Sequence, residues 1–161
     1  MTMTPENYVM RMLEVSRKKL GFLKEILELT RQQYQVITEE TTDALDALIR
    51  EKQKSIDAIH PLDEEFKVYH ERLKFEMKIK SLEELSGTRI QGLEELQQCV
   101  GSVMQTMKEI SVLEKQNQGK ANQVLDELGR EIRKLNQGKK VNNLYAPVNL
   151  QPTAYYIDKK K

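Results

Sequence analysis

The sequence has no tryptophan, one cysteine, four prolines and seven glycines in 161 residues. A single thiol, Cys99, excludes an intramolecular disulfide and any zinc site built on cysteines. It fits a reducing compartment. No run reaches the roughly 18 consecutive apolar residues of a bilayer-spanning helix, so membrane insertion is not expected. The opening MTMTPENYVM lacks a basic stretch followed by an apolar one, so no secretory signal is expected and the cytoplasm is the default location. Neither sign of charge dominates, because 26 Lys and Arg face 25 Asp and Glu for a net charge of +1. A general nucleic-acid binder would carry a large basic excess. What remains is a chain 32% charged and 39% apolar, with mean hydropathy −0.65. That is the balance of a water-soluble, helix-rich protein with one domain's length.

Scarce proline and glycine act as punctuation. Thr4-Pro5-Glu6-Asn7 is a helix start, with a Thr cap and Pro at the first position, where its missing N–H costs nothing. Apolar residues then recur every seven, along Leu13, Leu20, Leu27, Tyr34, Thr41, Leu48 and along Leu23, Thr30, Ile37, Ala44. The stripe drifts to Leu45, Ile49, Ile56 and Ile59. This reading predicts one helix over about 5–59, roughly 80 Å long, ended by His60-Pro61 because a residue before Pro is pushed out of the helical region. A second helix over about 62–85 carries Phe66, Tyr69, Leu73, Met77, Ile79 and Leu82. Ser86-Gly87-Thr88 separates it from a third over about 89–135, with the stripe Ile90, Leu93, Leu96, Val100, Val103, Met107, Ile110, Asn117, Val124, Leu128, Ile132 and Leu135. Asn117 on that seam reads as a register device. Glu114 to Asn122, almost without apolar residues, reads as the place where this helix breaks.

The expected fold is all-α. It is an elongated antiparallel bundle, or coiled-coil-like hairpin, of three helices over residues 1–137, with the first and third helices antiparallel. Part of the long stripes would stay uncovered, which points to a homodimer. Residues 138–161 form the expected loose, basic tail. Residues 137–161 hold five Lys and one Asp, with Leu144, Tyr145, Val148, Leu150, Tyr155, Tyr156 and Ile157 among them. A tail this apolar suits ordering on a partner.

Catalytic chemistry has little to stand on. Asp57-x-x-His60 is half of a carboxylate–histidine metal motif, but Lys67 stands where the matching acid before His70 would be. No phosphate-binding, dinucleotide or nucleophile-elbow glycine motif occurs. Cys99 reads as a small buried thiol and the methionines as core filling. No enzyme activity, metal or cofactor is expected.

Three stretches together resemble a known family. They are Leu27, Gln33-Tyr34, Leu45-x-x-Leu48-Ile49-x-x-Lys52-Gln53 and Ile56-Asp57-x-Ile59; then Leu113-Glu114-x-x-Asn117 and Leu135-Asn136-Gln137-Gly138-Lys139-Lys140; then Tyr145 and the closing Tyr156-Ile157-Asp158-Lys159-Lys160. The pattern resembles the FlgN family of flagellar export chaperones over nearly the whole chain. The resemblance implies a cytoplasmic chaperone of type III export. Such a chaperone binds the C-terminal segments of the hook–filament junction proteins FlgK and FlgL, prevents premature assembly, and delivers them to the export gate component FlhA. It implies client binding by Val124, Leu125, Leu128, Ile132 and Leu135. It implies gate docking by Tyr145, with Tyr155 and Tyr156 as alternatives. Two other readings compete. One is a structural coiled-coil scaffold or dimeric spacer, which would tolerate loss of the tail. The other is a FliT-like chaperone for the filament cap protein.

Overall fold

The computed structural model describes residues 3–38 and 42–136. Three helices dominate: α1 (Pro5–Val36), α2 (Thr42–Met77) and α3 (Leu93–Leu135), with a 3₁₀ turn at Leu82–Leu85 before α3. The described residues contain no strand. The all-α expectation holds. The start of α1 is as read: Asn7 donates its backbone N–H to the Thr4 hydroxyl at 3.2 Å, and Pro5 takes the first helical position.

The helix boundaries differ from the sequence reading in three places. The first helix stops at Val36 rather than near 59. Ile37-Thr38 and Thr41-Thr42 are β-branched, with low helix propensity. Ile37 is buried in a core cluster outside the helix. Conversely, Pro61 does not end a helix but lies inside α2. Proline there forfeits the hydrogen bond to the Asp57 carbonyl. Asp57 and Pro61 are both exposed, so that carbonyl faces water, while Ile56, Ile59 and Leu73 bury the other face. Finally, α2 ends at Met77 rather than 85, and α3 begins at Leu93 rather than 89. The α2 terminus is a left-handed cap: Lys78 has φ 57°, and the Ile79 N–H bonds the Lys74 carbonyl at 3.1 Å.

The stretch 114–122, read as a break, stays helical throughout. Two of its polar side chains, Glu114 and Asn117, are taken into the interior, while Lys115, Gln116, Gln118 and Asn122 stay exposed on the helix. The expected tail, 138–161, and the Thr41 seam position lie outside the described residues.

The chain divides into two compact units. The first combines Met1–Ile26 with Gln53–Lys108. Its core is apolar: Val9, Met12, Leu13, Leu73, Leu85, Leu93 and Leu96, with Cys99 at its edge. Burial raises the Cys99 thiol pKa, which keeps it protonated and unreactive. Lys19 pairs with Asp63 at 2.6 Å and the Ser55 hydroxyl donates to Glu25 at 3.1 Å, so α1 and α2 run antiparallel here. Gly92 lies against Val9 and Met10 at the starts of α3 and α1. The second unit combines Leu27–Lys52 with the chain from Glu109 onward. In it Thr30 meets Asn117 and Tyr34 meets Lys120, so α1 and α3 run in the same direction. The expected antiparallel pairing of first and third helices is therefore replaced. The unread break after Val36 makes α1 and α2 the antiparallel hairpin, and the next reversal returns α3 parallel to α1.

Candidate functional site

The second unit is built in three successive layers along α3. The first is polar. Thr30 and Gln33 come from α1, Lys52 from α2, and Glu114 and Asn117 from α3. All five are buried. The Lys52 ammonium donates to both the Glu114 carboxylate and the Gln33 side-chain oxygen. The Thr30 hydroxyl donates to Glu114 at 3.3 Å, and the Asn117 amide donates to the Thr30 carbonyl at 3.0 Å. Lys52 is 2% exposed and Glu114 1%. Desolvation is the largest influence on Lys52 and lowers its pKa, against the opposing pull of Glu114. Two polar atoms in this layer, Gln33 Nε2 and Asn117 Oδ1, have no hydrogen-bond partner among the described residues.

The second layer is a small apolar cluster of Ile37, Leu45 and Ala121, joined by Val36, Ile49 and Val124. Beside it Lys120 lies over the Tyr34 ring, 4.2 Å from its centroid, and donates to the Tyr34 backbone carbonyl. These contacts fix the register of α1 against α3 at 86 or 87 residues. Held at that spacing, Val36 at the end of α1 lies level with residues 122–123 of α3.

The third layer is the rest of α3, which continues to Leu135. That is about 12 more residues, or roughly 18 Å of helix past the end of α1. The five client-binding candidates of the sequence reading fall here. Val124 joins the apolar cluster. Leu125, Leu128 and Ile132 are half-buried, and Leu135 is 81% exposed. Successive turns place them on one face. The structure thus gathers these five on a single helix end. Tyr145, Tyr155 and Tyr156 lie outside the described residues.

Sequence reading missed the polar layer as a unit. Tyr34 was placed on the seam, yet it is 41% exposed while neighbouring Gln33 is fully buried. The signal was present in the spacing: Gln33 follows Thr30 by three and Asn117 follows Glu114 by three, so each pair shares a helix face. Four of the residues that carry the family resemblance in the first two stretches, Gln33, Lys52, Glu114 and Asn117, meet in this layer.

No group of three or more His, Cys, Asp or Glu is placed to hold a metal among the described residues. Asp57 is instead bonded to Gln53 at 2.8 Å. No helix among the described residues is long and apolar enough to cross a membrane.

The family model described as FlgN protein matches residues 3–148. Searches of curated proteins and of solved structures find no match. The match covers the bundle, the polar layer and the α3 stripe together, and the chain belongs to the FlgN family of flagellar export chaperones.

Proposed function

We propose that this chaperone binds the C-terminal segments of the hook–filament junction proteins FlgK and FlgL in the cytoplasm. It prevents their premature assembly and hands them to the export gate component FlhA. Its work is binding and release, with no catalysis, cofactor or metal, and with neither nucleic acid nor membrane insertion involved. The observation that carries this reading is the end of α3, where Val124, Leu125, Leu128, Ile132 and Leu135 form an apolar face running past the end of α1. An amphipathic client helix laid on that face would bury apolar surface that otherwise drives polymerisation. Tyr145, which follows in the chain, is the proposed contact with the gate.

Calorimetric titration with C-terminal fragments of FlgK and FlgL from the same organism tests the reading. Saturable 1:1 binding is expected for the parent. Leu128→Asp with Ile132→Asp should abolish it while far-UV helicity persists. A folded parent that binds neither fragment refutes the FlgK/FlgL assignment. The same titration with a filament cap protein fragment then tests the FliT-like alternative.

One observation favours a second reading, self-association as a homodimer or spacer. Phe75 is 85% exposed, and Val68, seven residues earlier on α2, is 45% exposed. Sedimentation equilibrium of the parent and of Phe75→Ser decides it. A dimer lost on substitution supports that reading, and a monomeric parent removes it.

A further inference from the structure

The charged residues flanking the α3 stripe are distributed unequally. At about 100° per residue, Val124, Leu125, Leu128, Ile132 and Leu135 fall within an arc of about 100°. Glu131 stands about 70° from the centre of that arc and Glu127 about 110°, both on the same side. They are four residues apart, one turn above the other. The opposite border offers Gly129 and Asn136, which carry no charge. Arg130 and Arg133 stand about 170° and 130° from the centre, toward the back of the helix, and Lys134 stands about 130° from it, about 20° behind Glu127 on the same side. Both glutamates are exposed, and neither forms an ion pair among the described residues.

A further cation on this side is drawn away from the face. Lys120 occupies the same side of α3, two turns before Glu127. Its ammonium is held over the Tyr34 ring and bonded to the Tyr34 carbonyl. The α2 start adds to the same sign. Asp43 and Asp46 are exposed on either side of Leu45, which packs with Val124 in the apolar cluster. Between Arg31 and Arg50 the sequence has no Lys or Arg at all. The apolar face is therefore bordered by negative charge along one edge and at its near end, and by nothing charged on the other edge.

We propose that this face selects an amphipathic helix of another protein whose apolar stripe is bordered on one side by Lys or Arg. Glu127 and Glu131 are its specificity-determining residues. The inference rests on the client-docking reading above and adds the chemistry of the partner. The apolar stripe supplies burial and the glutamates choose among clients. Rim charges of this kind contribute little raw affinity but discriminate against the wrong sign and speed encounter with the right one. With one edge charged and the other neutral, they also set the side on which the client's basic residues must lie.

The test uses two synthetic 18-residue amphipathic peptides with identical leucine faces, one with Lys along one border and the other with Glu. Each is titrated by fluorescence anisotropy against the full chain and against Glu127→Lys with Glu131→Lys. Far-UV circular dichroism confirms that the exposed charge reversals leave the fold intact. The parent should prefer the Lys-bordered peptide by roughly three- to tenfold at low salt. The preference should shrink in 0.5 M NaCl and reverse in the double variant. Equal binding of both peptides, or a preference untouched by the charge reversal, overturns the selection rule and leaves the docking face standing. Failure of both peptides to bind the parent overturns the docking reading as well.

Discussion

Replacing Lys52 by Met tests whether the second unit is built around a desolvated ion pair. The substitution keeps most of the side-chain volume and deletes the charge. Glu114, 1% exposed, would keep only the Thr30 hydroxyl at 3.3 Å. Stranding a buried charge in this way costs about 3–5 kcal/mol. Adding Glu114→Leu removes the stranded carboxylate and should recover much of that loss. The recovery is incomplete because Gln33 loses the donor to its side-chain oxygen, and its nitrogen already lacks a partner. Leaving that amide unsatisfied costs about 1–3 kcal/mol. A triple variant that adds Gln33→Leu should return to within about 1 kcal/mol of the parent or exceed it. The expected order of stability is therefore single, double, triple, from lowest to highest. Urea denaturation followed at 222 nm gives the order, and amide hydrogen exchange over residues 109–124 localises it to the second unit. A single Lys52→Met that costs less than about 1 kcal/mol, and equals the double variant, would refute the reasoning. The pair would then be hydrated, and its geometry would contribute no more than a surface salt bridge.

Three further outcomes follow from the first unit. Lys78→Gly should stabilise the chain by about 0.5–1 kcal/mol in thermal or urea unfolding, because Lys78 holds φ 57° at the α2 cap, where glycine carries no Cβ penalty. A loss of stability would show that the lysine side chain outweighs the backbone. Gly92→Ala should destabilise by about 1–3 kcal/mol, since Gly92 has φ 86° and a Cβ there would approach the Met10 sulfur to 2.8 Å; a neutral result by the same assay would mean that Met10 moves aside and the turn tolerates alanine. The His70 pKa lies below its ordinary 6.5, first because burial disfavours the imidazolium and then because of Lys74, with Glu71 and Glu83 pulling the other way. The unfolded chain therefore binds the proton more readily, so stability should fall as pH drops through and below about 6.5. Proton NMR titration of His70 reads the midpoint. A value at or above 6.5, or a pH dependence unchanged in His70→Gln, contradicts the assignment.

Much of the architecture was legible because helical patterns are local. Thr4-Pro5 marked the start of α1, the seven-residue spacing marked the buried faces, and Leu135 marked the end of α3. Asn117 was read as a buried polar seam residue and is 1% exposed. The boundaries failed where local rules and burial disagree. Pro61 is a helix breaker by its own chemistry, yet its lost hydrogen bond faces water and the opposite face of α2 is buried. Thr38 and Thr41-Thr42 carry no glycine or proline, so the reversal after Val36 left only a weak propensity signal. The same limit applies to the candidate site. A stripe of Val124, Leu125, Leu128, Ile132 and Leu135 is visible in the sequence, but whether α1 runs alongside it depends on register.

The sequence alone determined that this chain is helical, that its helices have apolar stripes, and that its charge is balanced. Those properties depend on residue type and on spacing within a few turns. Tertiary structure decided which helices are neighbours and in what direction, and that reversed the expected pairing of the first and third. It also decided that Thr30, Gln33, Lys52, Glu114 and Asn117 form one buried layer, and that α3 outruns α1 by about 12 residues. The reason is physical. A buried lysine is tolerated only when a carboxylate from another helix is at hand, and no local pattern records which distant residue supplies it.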